Sequence, residues 1–363
     1  MNLNKSSRSY YPALDGLRGL AIIMVILYHN FHFINNFFFT WLGVDLFFVL
    51  SGYLITTILL KSVNSPHYLK NFYMKRVLRI FPLYYLALVI FLVIFPLFGD
   101  HRPDLQFYVN HQWWFWLYAE NWLLSFQFPP PGPNVLNHFW SLAVEEQFYL
   151  IWPFVILLIR KPGKLLYCVL SLLLLLLFVR SIIWMKHFPG VNYTTLYTFT
   201  RIDGICIGCI TALVHQINYD FLRKNMSVIV IALAIMNFGF YFINQSGNFP
   251  YLAFVGYTTF AAMFGLLVHE AVSGDTRIIT LVFSNPVLRF FGLISYGLYV
   301  FHWPVYSLTQ QYFHNFLTID VNLSEKMSAI GSSLIATLLA ILLSVISYYT
   351  FELKFLKLKE KFR

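Results

Sequence analysis

The sequence predicts an all-α integral membrane protein, about ten transmembrane helices in one bundle with both termini cytoplasmic, and three observations predict it. Of 363 residues, 59% are hydrophobic and only 11% are charged, where a soluble domain carries roughly a quarter charged. With a mean hydropathy of +0.66, too few polar side chains remain to clothe a soluble fold of this size. Ten apolar runs approach the length a helix needs to cross a hydrocarbon core. They cover roughly 13–34, 40–60, 77–98, 138–159, 165–185, 202–217, 227–244, 251–270, 289–312 and 329–351. Lys and Arg alternate between the intervening loops, as they do where cytoplasmic loops hold the positive excess.

Taken in order, the first run follows Lys5 and Arg8, lacks a small-residue cleavage site and carries Arg18 and His29, so it reads as a span and not as a signal peptide. With the N-terminus inside, 19 of 25 cations fall on cytoplasmic segments, among them Lys61, Lys75, Arg76, Arg79, Arg160, Arg223, Arg289 and the tail from Lys354 to Arg363. The opposite side holds Arg102, Lys186, Arg201 and Lys326, while Arg18 and Arg180 lie within spans. The net charge of +10 is thus an orientation signal, and no nucleic-acid partner is expected. The long outer loop from Gly99 to Asn137 contains Gln112-Trp113-Trp114-Phe115-Trp116-Leu117-Tyr118, Trp122 and a proline-rich stretch at 128–133. Such aromatics either mark the headgroup boundary or face a sugar. The chain divides into one membrane domain, 1–353, and a short basic tail, 354–363. Cys168, Cys206 and Cys209 form no disulfide framework and read as packing residues.

Ionisable residues inside spans are costly and are functional candidates by default. Depth along the spans gathers His29, Asp45, Glu145, Glu146, Arg201, Asp203 and His302 in the outer half. Arg18, Lys75, Arg76, Arg79 and Arg289 gather at the cytoplasmic side, with Arg76 and Arg79 on one helical face. The inner cations either hold a phosphorylated ligand or snorkel to lipid phosphates. Eleven residues separate Arg18 from His29 on one helix, a rise of about 16 Å. A ligand held at both ends must be long and thin, as the acylated pantetheine arm of acyl-CoA is. Acyl transfer from a thioester to a hydroxyl then needs a base, which suits His29, and a group to orient it, which Asp45 matches by depth. Glu145 and His302 are candidates to bind the acceptor hydroxyl or to serve as a second acid or base. No Gly-x-Ser-x-Gly elbow is present. Ser51 reads as a packing or hydrogen-bonding residue, and His29-x-x-His32 lacks the further ligands of a metal site, so no metal is expected.

The residues also resemble a known family, the acyltransferase 3 family of bacterial integral membrane acyltransferases. The resemblance rests on Leu14-Asp15-Gly16-Leu17-Arg18-Gly19 with His29 after ten further residues, and on Gly43-Val44-Asp45-Leu46-Phe47-Phe48 continuing to Ile55. It continues in Phe72-Tyr73-Met74-Lys75-Arg76-Val77-Leu78-Arg79-Ile80-Phe81-Pro82 and Trp140-Ser141-Leu142-Ala143-Val144-Glu145-Glu146-Gln147-Phe148-Tyr149-Leu150. Arg201-Ile202-Asp203-Gly204 and the stretch from Ser295 to Pro304 around His302 complete it. It implies a ten-helix core that moves acetyl from acetyl-CoA to an extracytoplasmic carbohydrate: O-antigen, exopolysaccharide or another envelope glycan. By the same resemblance His29 is catalytic, with Arg18, Arg76 and Arg79 holding the donor and Lys75 standing where many members have arginine. Lysine keeps the charge and loses the planar fork. Arg201, Asp203 and Trp140 are the expected substrate-binding residues. Many relatives carry a C-terminal hydrolase-like domain. Here the chain ends at Arg363 after the last span, so the expectation is that the membrane domain acylates its glycan directly, the alternative being a separate protein that completes the transfer. The expected partners are membrane lipid and the carbohydrate acceptor, at the bacterial inner membrane, with a homo-oligomer left open. The rival reading is a secondary transporter or lipid-linked sugar flippase, against which stands the lack of paired broken helices in corresponding halves.

Overall fold

The computed structural model describes residues 11–31, 33–99, 102–126, 134–186, 197–243 and 255–362. Lys5, Arg8, His32 and the 128–133 proline stretch lie outside the described residues. Among those described there is no strand. The long helices are α1 (Pro12–Asn30), α2 (Gly43–Ser62) and α3 (Tyr68–Val89), the last running on through a π-turn to Leu97. Short helices α4 (Pro103–Asn110), α5 (Gln112–Trp116) and α6 (Glu120–Phe126) build the loop that follows. Then come α7 (Trp140–Ile159), α8 (Pro162–Met185), α9 (Asp203–Ile217), α10 (Tyr219–Ile243) and α11 (Tyr257–Ser273). Two short helices, α12 (Arg277–Phe283) and α13 (Pro286–Leu293), precede α14 (Ser295–Asn315) and α15 (Glu325–Ser347). Among the described residues seven helices are long and apolar enough to cross a membrane, and α9, α11 and α14 fall on the other three expected runs.

Several boundaries differ from the sequence reading for one reason: a hydropathy count stops at charge, whereas a helix does not. Helix α3 begins at Tyr68, not 77, because Lys and Arg are good helix formers. Lys75, Arg76 and Arg79 therefore stand on the helix itself. The run at 289–312 is two helices broken at Ile294, which leaves Arg289 on α13. The tail expected from 354 continues the last helix through Leu353–Leu358, so its cations stay beside the bundle.

The order of burial places α2 at the centre, 78% of its apolar window being withdrawn from the surface, against 17% for α8 and 11% for α10, which form the periphery. The central crossing of α2 with α9 depends on two glycines. A Cβ on Gly52 would lie 2.0 Å from the Ile205 carbonyl oxygen, and one on Gly208 would lie 2.1 Å from that of Val49. Small residues at such positions let backbones approach where lipid supplies no hydrophobic drive between helices. One apolar core joins α1, α3, the short loop helices and α14. A second joins α2, α3, α7, α8 and α9.

The loop helices are part of that first core. Phe115 is fully buried, Trp116 stacks on Tyr85 of α3 with ring centroids 5.8 Å apart, and Tyr118 stacks on Tyr84 at 4.1 Å. Trp113 and Leu117 point outward, 72% and 73% exposed. The aromatic run is therefore split between core and surface. Tyr84 donates to the Glu120 carboxylate at 3.1 Å, and burial pushes the Glu120 carboxyl well above the usual carboxylate range.

Candidate active site

Helix α1 carries the two ends of the site. Its Arg18 end faces α3 and α13, and its His29 end faces α14. At the Arg18 end a wide vestibule is lined by Asp15, Arg18, Lys75, Arg79, Arg289 and Lys359, with Glu352 on its wall. Arg18 also donates to Asp15 at 3.0 Å. Arg18, Arg79 and Lys359 continue into a narrower cavity of about 200 Å³ that runs up between α2, α3, α7 and α14. Arg76, Glu145, Tyr149 and Ser51 form its polar wall, and Val44, Phe47, Leu50, Leu54 and Ile55 its apolar one. The last polar residues along it are Ser141 and Tyr299. All five expected inner cations thus border one or both of these adjoining spaces, and Lys359 joins them.

Arg76 lies across the rings of Phe72 and Tyr149, 5.8 and 5.6 Å from their centroids, and its Nε is buried without a partner. Tyr149 donates to Glu145 Oε2 at 3.2 Å and hydrogen-bonds Ser51. Glu145, expected beside the histidines, is therefore a wall of the inner cavity. A helix places residues four apart on one face, which is why Glu145 and Tyr149 of α7 meet there.

At the other end three imidazoles stand in a row. His29 is half-buried, and its Nδ1–H donates to the Val25 carbonyl at 2.9 Å, so the neutral ring carries its basic lone pair on Nε2. The His302 ring lies 5.1 Å from that of His29, and Trp303 lies 5.3 Å from it. His302 Nδ1 is held by the carbonyls of Tyr299 at 2.8 Å and Leu298 at 3.1 Å. His138, on the turn just before α7, lies 5.1 Å from His302 and 5.5 Å from Tyr299. The sequence reading missed His138; its position two residues before Trp140 was the only signal. Tyr299 joins the two ends, donating to the His138 carbonyl at 2.6 Å and meeting Ser141 Oγ at 2.6 Å.

The remaining expected residues go elsewhere. Asp45 was expected to orient His29, but its hydrogen-bonded oxygen takes Arg201 Nη2 at 2.9 Å, and Val25 holds the imidazole. Depth along α2 does not settle which face of the helix Asp45 presents, and here that face is the one toward Arg201. Arg201 and Asp203, expected to bind substrate, are buried and paired within the bundle. Arg201 spreads over the Tyr257 ring at 4.1 Å and reaches that of Trp140 at 5.7 Å. Asp203 Oδ2 receives Arg180 at 2.9 Å and Thr258 at 2.7 Å. Neither lines the cavity or the vestibule, because the tight α2–α9 crossing turns them toward α8 and α11. Arg180 itself was noted in the sequence without a partner. Trp140 packs edge-on against Phe48, behind the cavity wall.

A family model described as an acyltransferase domain matches residues 11–349. The chain is 37% identical over 329 residues to the peptidoglycan O-acetyltransferase OatA of Listeria monocytogenes, covering 84% of this chain and 50% of that protein. It is 34% identical over 325 residues to the putative peptidoglycan O-acetyltransferase YrhL of Bacillus subtilis, covering 83% and 49%. A putative O-acetyltransferase of Staphylococcus aureus strain COL is 32% identical over 335 residues, covering 84% and 52%. The chain spans about half the length of the curated relatives it matches. No solved structure matches it.

Proposed function

The chain belongs to the acyltransferase 3 family of multi-pass membrane proteins, and from that premise we propose that it is an O-acetyltransferase moving acetyl from cytoplasmic acetyl-CoA to a wall glycan. The acceptor we favour is peptidoglycan beyond the plasma membrane, following the names of the relatives. The observation that carries this reading is the cavity that starts among Arg18, Lys75, Arg79, Arg289 and Lys359 and ends at Ser141 and Tyr299, next to the histidines. The wide cationic vestibule suits the phosphates of CoA. The narrow, half-apolar cavity suits a pantetheine arm, and the rise of about 16 Å from Arg18 to His29 suits its length. Arg76, with a buried Nε lacking a partner, is placed to take a carbonyl or phosphate oxygen of that arm.

In the proposed reaction His29 Nε2 takes the proton of the acceptor hydroxyl while the oxygen attacks the thioester carbonyl. The new C–O bond forms as the C–S bond breaks, and the proton ends on the CoA sulfur, so the exchange balances without an added reactant. Glu145 and Tyr149 hold the arm in the cavity, and His302 serves as the neighbouring acid or base. Asp45 contributes by fixing Arg201 and the α2–α9 pairing, and so acts as a positioning residue. The test is the O-acetyl content of peptidoglycan in strains making wild-type, His29→Ala and Arg76→Ala protein at equal level. Loss in both supports the reading. Undiminished acetylation in both would sink it.

A further inference from the structure

His138 is a buried imidazole that the proposed reaction leaves idle, and it adjoins one that the reaction uses. Only 3% of the residue is exposed, yet neither ring nitrogen makes a well-formed hydrogen bond, the Tyr299 and Val300 backbone offering only weaker contacts. His302, wholly buried beside it, leaves Nε2 equally unpartnered. A buried polar atom without a partner costs roughly 1–3 kcal/mol, and three such atoms fall here in two adjacent rings. Packing alone would be served as well by phenylalanine. The position adds a reason. His138 touches His302, which touches His29, and on the other side it lies against Tyr299, the last residue of the donor cavity.

Resting on the acetyltransferase reading above, we propose that His138 and His302 form an imidazole relay, with His138 as a catalytic residue that links His29 to the inner cavity. The proton leaves the acceptor hydroxyl for His29 Nε2 as the ester bond forms. It passes to the bare Nε2 of His302, whose Nδ1–H is already committed to backbone carbonyls. His302 passes it on to His138, which gives it to the CoA sulfur as the thiolate withdraws past Ser141 and Tyr299. His29 is returned neutral for the next hydroxyl. No proton, electron or group is gained from outside.

The test uses the full chain in lipid nanodiscs with acetyl-CoA and soluble peptidoglycan fragments, following release of the CoA thiol. His138→Phe keeps a ring of similar size and removes both nitrogens. The expected result is a fall in kcat of about ten- to a hundredfold, with KM for acetyl-CoA nearly unchanged. His138→Ala should recover part of its rate when imidazole is added, a recovery that a packing role does not predict. In the wild type, the rate should fall along a curve, not a line, as D2O replaces H2O, since more than one proton is in flight. That measurement needs no variant, so it decides even if His138→Phe fails to fold. A straight dependence in the wild type, or an unaltered kcat in His138→Phe, overturns the relay and leaves the acetyltransferase reading standing. Absence of thiol release by the wild type overturns both.

Discussion

Two groups of buried ionisable side chains share this bundle and differ in what faces them. Asp45, Arg201, Arg180 and Asp203 meet one another between α2, α8 and the start of α9, each carboxylate with a guanidinium at 2.9 Å, and none lines the cavity or the vestibule described above. Arg18, Arg76, Arg79 and Glu145 instead line open space, and the histidines beyond them leave buried nitrogens unpartnered. Both groups are equally expensive in lipid. Burial of charge therefore does not by itself mark a site. A buried group that lines open space does, whereas opposite charges paired with each other, even with Asp45 Oδ2 and Arg201 Nε left over, act as a clamp.

The comparison is most sharply exposed by His29→Ala. Thiol release from acetyl-CoA should fall by about 10²–10⁴-fold with the melting temperature unchanged, and a thermal shift without a rate loss would move His29 into the structural group. Next, Arg180→Met should destabilise the protein by about 3–5 kcal/mol, since it strands a buried carboxylate, and Arg180→Met with Asp203→Leu should recover much of that. Thermal unfolding in detergent reads both. If Arg180→Met melts like wild type but raises KM for glycan, the clamp is a substrate site and the distinction breaks.

Arg76→Ala comes third, with KM for acetyl-CoA raised about ten- to a hundredfold, the worth of a charged hydrogen bond, and kcat less affected. Arg76→Lys should keep part of the affinity. The smallest effect concerns Glu120, outside both groups. Its folded carboxyl titrates above the unfolded one, so the stability it contributes is complete below about pH 4 and is lost as pH rises, by at most about 1.4 kcal/mol per unit. Glu120→Gln should flatten the dependence of melting temperature on pH in that window; an unchanged slope would show that the carboxyl is solvated.

Much of the fold and half of the site were legible because they are local. Apolar run length gives spans. Arg18 and His29 share a helix whose rise fixes their separation, and Arg76 and Arg79 share a face whatever packs against it. The start of α3 was missed because the charged residues that halt a hydropathy count still favour helix. His138 was missed because it lies on a turn with no periodic signal.

What the sequence by itself determined is the membrane class, the helix inventory, the family motifs and the axial depth of each ionisable residue, all properties of single segments. Only the tertiary structure decided their partners. Asp45 and Arg201 are 156 positions apart, and a residue's depth leaves its helix rotation undetermined. The close α2–α9 approach at Gly52 and Gly208 accompanies the turning of Asp45 toward Arg201 and away from His29. With rotation settled, four of the expected charges became a clamp, and His138, unnoticed in the sequence, took its place beside His302.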